Sequence, residues 1–147
     1  MAKRALVAHR GPPGGYALSG HMDTVPATGW QDDPWDPRVD AAGVLHGLGS
    51  VDMKGAVAAC IMAARAVPDG VPATLLLTTD EETTKAGARA VAESAFARSL
   101  GLRGIVVAEP TGLVPVRGHR SSVNIVARAQ GCRRIPRPAS AATRIGR

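Results

Sequence analysis

Two short apolar runs constrain this chain more than any other feature. Residues 73–79 (Ala-Thr-Leu-Leu-Leu-Thr-Thr) and 104–108 (Gly-Ile-Val-Val-Ala) are too short for buried helices and too apolar for surface loops. They predict buried strands. Each runs straight into acid: Asp80-Glu81-Glu82 follows the first and Glu109 the second. Between them, residues 85–99 carry Ala88, Val91, Ala92 and Phe96 at helical spacing. Residues 55–67 are Ala-rich, with Val57, Ile61, Met62 and Arg65, and predict a helix stopped by Pro68-Asp69-Gly70. Residues 3–9 and 16–19 read as two strands joined by the turn Gly11-Pro12-Pro13-Gly14-Gly15. Residues 26–43 form a Pro/Gly-rich loop, and residues 123–129 alternate like a half-exposed strand. Strands and helices in this order predict an α/β sheet with helices covering its faces.

Composition narrows the function classes. The 147 residues suit one domain, and 45% hydrophobic residues against 20% charged exclude a disordered polar chain. Aromatics are only 3%, so Val, Leu, Ile and Ala must build the core. No apolar run approaches the roughly 18 residues of a membrane span. The basic start, Met1-Ala2-Lys3-Arg4, leads to an apolar stretch broken by His9-Arg10, short of a signal-peptide core. Cytoplasm is the expected location. Cys60 and Cys132 match neither a metal-ligand spacing nor a disulfide framework. The net charge of +6 is a tail property, since residues 132–147 hold five arginines and no acid. That tail lacks interleaved aromatics, and the near-neutral body holds no nucleic-acid module, so neither nucleic acid nor membrane is an expected partner.

In open α/β sheets, functional groups gather beyond the carboxyl ends of strands. Four places put ligand-type residues at such ends: His21 and Asp23 after residues 16–20, Asp52 after 45–50, Glu81 and Glu82 after 75–79, and Glu109 after 105–108. One imidazole and several carboxylates aimed at one rim suit a divalent metal. Each element alone also has a plainer reading. His-x-Asp is a common surface pair, Asp52 a helix N-cap, and Asp80-Glu81-Glu82 an acidic first helical turn. His9 and His46 read as solvated side chains, and Cys60 as a small core residue.

The segments Gly20-His21-Met22-Asp23-Thr24-Val25-Pro26, Gly49-Ser50-Val51-Asp52-Met53-Lys54-Gly55, Thr79-Asp80-Glu81-Glu82-Thr83 and Ala108-Glu109-Pro110-Thr111-Gly112 occur in this order. Together they resemble the M20 family of metallo-aminoacylases and peptidases, over residues 5–131. Trp30, Pro34, Trp35, Pro37, Asp40, Gly43 and Gly47 fit its loop between the first two motifs, whereas Leu48 stands where an Arg is usual. The resemblance implies a zinc-exopeptidase-like catalytic domain, a mixed sheet flanked by helices. It implies two divalent ions, zinc foremost with cobalt or manganese as alternatives. His21 and Glu109 would hold the first, Glu82 the second, and the two oxygens of the Asp52 carboxylate would bridge them; the peptide after such an Asp, here Asp52-Met53, is often cis. Asp23 would orient His21, and Glu81 would act as general base, with Glu81 and Glu82 sent in different directions by a backbone turn. The implied reaction removes an acyl group from an N-acyl amino acid such as N-acetylornithine. Succinyl-diaminopimelate desuccinylase and other peptidases of the family are the alternatives.

The resemblance also implies incompleteness. Family members are longer, with a helix before the first motif, a lid domain and a returning segment that brings a further metal-binding His. The expected division is residues 1–118 as a partial catalytic domain, 119–131 as the start of the lid, and 132–147 as an Arg/Pro-rich tail. His119 falls at the crossing into the lid. No histidine matches the distal ligand, and the lid through which members pair is mostly absent. The chain is therefore expected to be inactive by itself, and a non-catalytic metal-binding remnant is the alternative of another class. The codon sets for Arg134-Ile135-Pro136-Arg137 allow His-Ser-Ser in another frame, which fits a family lid. This predicts a frameshift near Gly131. Sequencing the gene should show the lid continuing in the alternate frame; a gene without that continuation removes the frameshift.

Overall fold

The structure is a computed structural model that describes residues 4–118 and Arg128. The chain divides into two compact units, residues 1–115 and 116–147. The expected strand at 123–129, His119 and the Arg-rich tail lie outside the described residues, Arg128 apart.

The first unit is built on a four-stranded mixed sheet. Its strands are β1 (Leu6–Arg10), β2 (Tyr16–His21), β5 (Ala73–Thr78) and β6 (Gly104–Val107), in the order β1-β5-β2-β6. β1 runs antiparallel to β5, while β5, β2 and β6 are mutually parallel. A separate ribbon pairs β3 (Arg38–Val39) with β4 (Leu45–His46). Helix α1 (Gly55–Ala66) makes the crossover from β2 to β5, and α2 (Ala86–Glu93) and α3 (Ala95–Ser99) lie between β5 and β6. The architecture is the α/β class expected from the sequence: a mixed sheet flanked by helices.

β1 and β2 do not pair with each other, although the turn between them invites a hairpin. β5 is inserted between them, with Leu6 opposite Leu77 on one side and Gly20 opposite Leu77 on the other. The reason is burial. Ala73, Thr74, Leu76, Leu77 and Thr78 are all buried, and a strand with little polar surface is best placed between two neighbours. The core around it is small and aliphatic: Ala17, Leu76, Leu77, Leu100, and from α1 the buried Cys60. Arg10 secures the far end of α1, its Nη2 donating to the Ala64 and Val67 carbonyls and its Nη1 to Asp69. Those carbonyls have no partner within the helix, so a guanidinium at this end is well placed.

Three expectations need correction. The helix expected over 85–99 is broken at Ser94, whose backbone is extended and whose Oγ accepts the Ala97 N–H. A serine competes for backbone donors and favours a cap over a helix interior, so α3 begins afresh. β6 is not a buried strand. Among the described residues it lies at the sheet edge, and Ile105, Val106 and Val107 are each more than half exposed. His9 is not simply solvated, because its ring nitrogens contact Thr74 Oγ1 and the Gly11 carbonyl. His46 is exposed but is paired with Asp40 at 2.8 Å, a bond that holds the Asp40 carboxyl below its usual range. Among the described residues no helix is long and apolar enough to cross a membrane.

Gly87 sets how closely α2 approaches the end of β5. A Cβ there would overlap the Thr79 carbonyl oxygen and lie 2.5 Å from the Thr79 nitrogen, a backbone with no rotamer to give way. Gly87→Ala should therefore lower stability by about 1–3 kcal/mol. Ala90→Ser, on an exposed face of the same helix, should change it by less than about 0.5 kcal/mol. Urea unfolding followed by circular dichroism measures both.

Candidate metal centre

Strand order brings the site together. β2 lies between β5 and β6, all three parallel, so the residues following them emerge side by side on one edge of the sheet. His21 ends β2, Glu81 and Glu82 follow β5, and Glu109 follows β6. Asp52 arrives differently. It sits in an irregular turn, Ser50–Lys54, that leads into α1 and follows the small ribbon rather than a strand of the main sheet. Its carboxylate caps no helix, since α1 has no side-chain cap at its start. The peptide between Asp52 and Met53 is cis.

Close approach of this turn to β2 depends on Gly20, where a Cβ would lie 2.8 Å from Val57 Cγ2 and 3.0 Å from Met53 Cε. Met53 is fully buried against the strand end, and its sulfur accepts the His21 backbone N–H at 3.3 Å. Burial of Met53 thus fixes both His21 and its own neighbour Asp52.

His21 is 2% exposed and bonded through both ring nitrogens. Nδ1 lies 2.9 Å from the Asp23 carbonyl oxygen, which only accepts, so Nδ1 carries a proton and Nε2 is the nitrogen available to a ligand. Nε2 is 3.0 Å from Asp52 Oδ1. The Asp23 carboxylate is not the main group orienting the ring. It lies 3.7 Å from Nδ1 and instead accepts the backbone N–H groups of Glu81 and Glu82, each at 3.2 Å. Asp23 therefore orients the imidazole with its carbonyl and clamps the acidic loop with its side chain.

That loop is tied a second time. Asp80, buried and at a positive φ of 66°, accepts hydroxyl bonds from Thr83 and Thr84, and its carbonyl accepts the Lys85 N–H. The carboxylates of Glu81 and Glu82 do not part as expected. One oxygen from each lies within 4.8 Å of the other and of a His21 nitrogen. A second set, His21, Asp52 and Glu109, converges equally closely. The expected pairing of Asp52 with Glu82 is not among these sets. Asp80 and Lys85 were not anticipated as parts of the site. The Asp-x-x-Thr-Thr spacing, which suits side-chain bonds within a turn, and the i,i+4 spacing of Glu81 and Lys85 were the available signals.

The donors fit a divalent ion of zinc type. Imidazole nitrogen and carboxylate oxygen are its usual ligands, and around a tetrahedral zinc they stand roughly 3.4 Å apart at bond lengths near 2.1 Å. Sets within 4.8 Å need only a modest contraction.

Without an ion, the charges work against folding at neutral pH. Burial acts to lower the His21 pKa, but the Asp23 and Asp52 hydrogen bonds and the charges of Glu109 and Asp23 raise it above 6.5 overall. Burial pushes the Glu109 carboxyl up, aided by Asp52, Glu81 and Glu82 and opposed by His21. Both raised groups stabilise the fold when protonated and lose that contribution as pH rises through their folded-state values. A metal reverses the sense, because its ligands must be deprotonated. With EDTA the chain should melt higher at about pH 5.5 than at about pH 8, and with Zn²⁺ the order should invert. Thermal scans at the two pH values check this.

Comparison with known proteins agrees with this geometry. A model of peptidase family M20/M25/M40 matches residues 17–132, a span that holds every donor named above. The crystal structure of human carnosine dipeptidase 1 is similar, with 28% identity and a TM-score of 0.53. The similarity covers 70% of this chain and 24% of that one, so the chain spans about a quarter of the length of that protein. With a family match over the larger part of its length and the donors within it, this chain belongs to peptidase family M20/M25/M40.

Proposed function

We propose that this centre belongs to a metal-dependent amide hydrolase that removes an acyl group from an N-acyl amino acid, N-acetylornithine being the leading substrate, with little or no turnover by the 147-residue chain alone. The observation that carries the reading is the convergence of His21, Asp52 and Glu109 within 4.8 Å, with Glu81 and Glu82 beside the same imidazole. His21 and Glu109 would hold one divalent ion and Glu82 a second, with Asp52 shared between them, zinc being foremost and cobalt or manganese alternatives. Such ions polarise a scissile carbonyl and lower the pKa of an adjacent water. Glu81 takes one proton from the attacking water while the remaining hydroxide adds to the carbonyl carbon. The C–N bond then breaks, and Glu81 returns the proton to the departing amine, leaving a carboxylate and an amino acid. Asp23 keeps Glu81 and Glu82 in place through their backbone N–H groups.

Similarity to a carnosine dipeptidase supports a dipeptide as an alternative substrate, and succinyl-diaminopimelate remains another. A reading of a different class is a metal-binding chain without turnover. One observation favours it: both donor sets draw on His21, the sole imidazole in either among the described residues. We place the protein in the cytoplasm, with a small amide substrate as its partner.

Metal analysis and hydrolysis assays on N-acetylornithine, N-succinyl-diaminopimelate and β-alanyl-histidine separate these readings. For the enzyme, Glu81→Gln should cut turnover by about 10²–10⁴-fold while the ions stay bound. Turnover of any of the three substrates excludes the metal-binding chain, whereas two bound ions without turnover match the hydrolase centre and a single loosely held ion matches the metal-binding chain.

A further inference from the structure

Lys85 stands next to the donors without being one. It occupies a left-handed backbone position, φ 56°, at the start of α2. From there its Nζ reaches back one turn to donate both to the Glu81 carbonyl at 2.5 Å and to the Glu81 carboxylate. The negative charges of Glu82 and Asp23 act on the same ammonium. Asp80 fixes the approach by accepting the Lys85 N–H with its carbonyl, so the loop that presents the two glutamates also delivers the lysine.

His21 has one nitrogen to give. Nδ1 is committed to the Asp23 carbonyl, and Nε2 faces Asp52. An ion among His21, Asp52 and Glu109 uses that nitrogen and meets no competing cation in its set. A second ion is then left with carboxylates, and one of the two at its side, Glu81, is already neutralised by Lys85.

We infer that Lys85 is a resident cation at the second donor set, holding Glu81 out of coordination so that a second divalent ion binds only in competition with its ammonium. This rests on the metal-centre reading above. Lys85 is a positioning residue: it holds Glu81 as an uncoordinated carboxylate beside the ions rather than a ligand of one. The pair is more than one-third exposed on both sides, so the competition is modest.

Calorimetric titration of the 147-residue chain with Zn²⁺ alone tests the inference. Wild type should show one tighter and one weaker binding event. Lys85→Gly removes the ammonium and suits the left-handed backbone, so it keeps the loop intact. It should tighten the weaker event about 3–10-fold and leave the tighter one unchanged. Lys85→Arg should match wild type, and Glu81→Gln added to Lys85→Gly should erase the gain. An unchanged isotherm in Lys85→Gly overturns the inference, as does equal tightening of both events. A single ion in both proteins overturns it while leaving the metal centre standing, whereas no binding by either removes both.

Discussion

Everything in this site depends on Asp23 acting at both ends. Its carbonyl receives His21 Nδ1, and its carboxylate receives the N–H groups of Glu81 and Glu82. Sheet pairing sets His21 opposite Thr78, which brings the end of β2 beside the end of β5 at ordinary strand spacing. Strand spacing alone leaves the following loops free to separate. Asp23 joins them, so the orientation of the imidazole and the position of the acidic loop are one structural fact. Asp80 performs the complementary task within the loop, through the Thr83 and Thr84 hydroxyls.

The cost of this arrangement is electrostatic. Asp23, Asp52, Glu81, Glu82 and Glu109 are gathered about one buried histidine, and burial together with the charges of Asp52, Glu81 and Glu82 raises the Glu109 pKa. Structural sites pair such groups one to one. Among the described residues, the histidine, Lys85 and Lys54, whose Nζ donates to the Met22 carbonyl, are the nearby cations. An acid-rich strand edge of this kind conflicts with stability and is expected where chemistry is done.

Much of this was legible in the sequence, for identifiable reasons. α1 was readable because alanines with a Pro-Asp-Gly stop leave few alternatives, and β5 because no other element accommodates so short an apolar run. The convergence of His21, Asp52, Glu81, Glu82 and Glu109 was foreshadowed because each follows on a strand or enters a helix. What failed was non-local. Whether β2 pairs with β1 or β5 is decided by which strand has most surface to bury, a comparison across the whole sheet. The exposure of β6 follows from its edge position, which an Ile-Val-Val run conceals. Ser94 broke a helix whose apolar spacing continued through it, since spacing carries no information about backbone competition. Lys85 was overlooked because an i,i+4 pair reads as a surface ion pair until the glutamate is known to face a histidine.

The donors are unequally anchored, and this bears on how the centre assembles. His21 ends a strand paired on both sides and is fixed again by Met53 and Asp23. Glu81 and Glu82 are held by a doubly tied loop. Glu109 follows β6, a strand of four residues that, among the described residues, pairs with β2 alone and is extended by the Ala108 N–H bond to the Ser19 carbonyl. An ion taking Glu109 as a ligand would thus add a constraint where the sheet supplies fewest. By linkage, such an ion would tighten β6 against β2, and weakening the β2–β6 ladder would loosen it. With Glu109 as a ligand, the edge strand and the metal centre would be coupled through a single carboxylate.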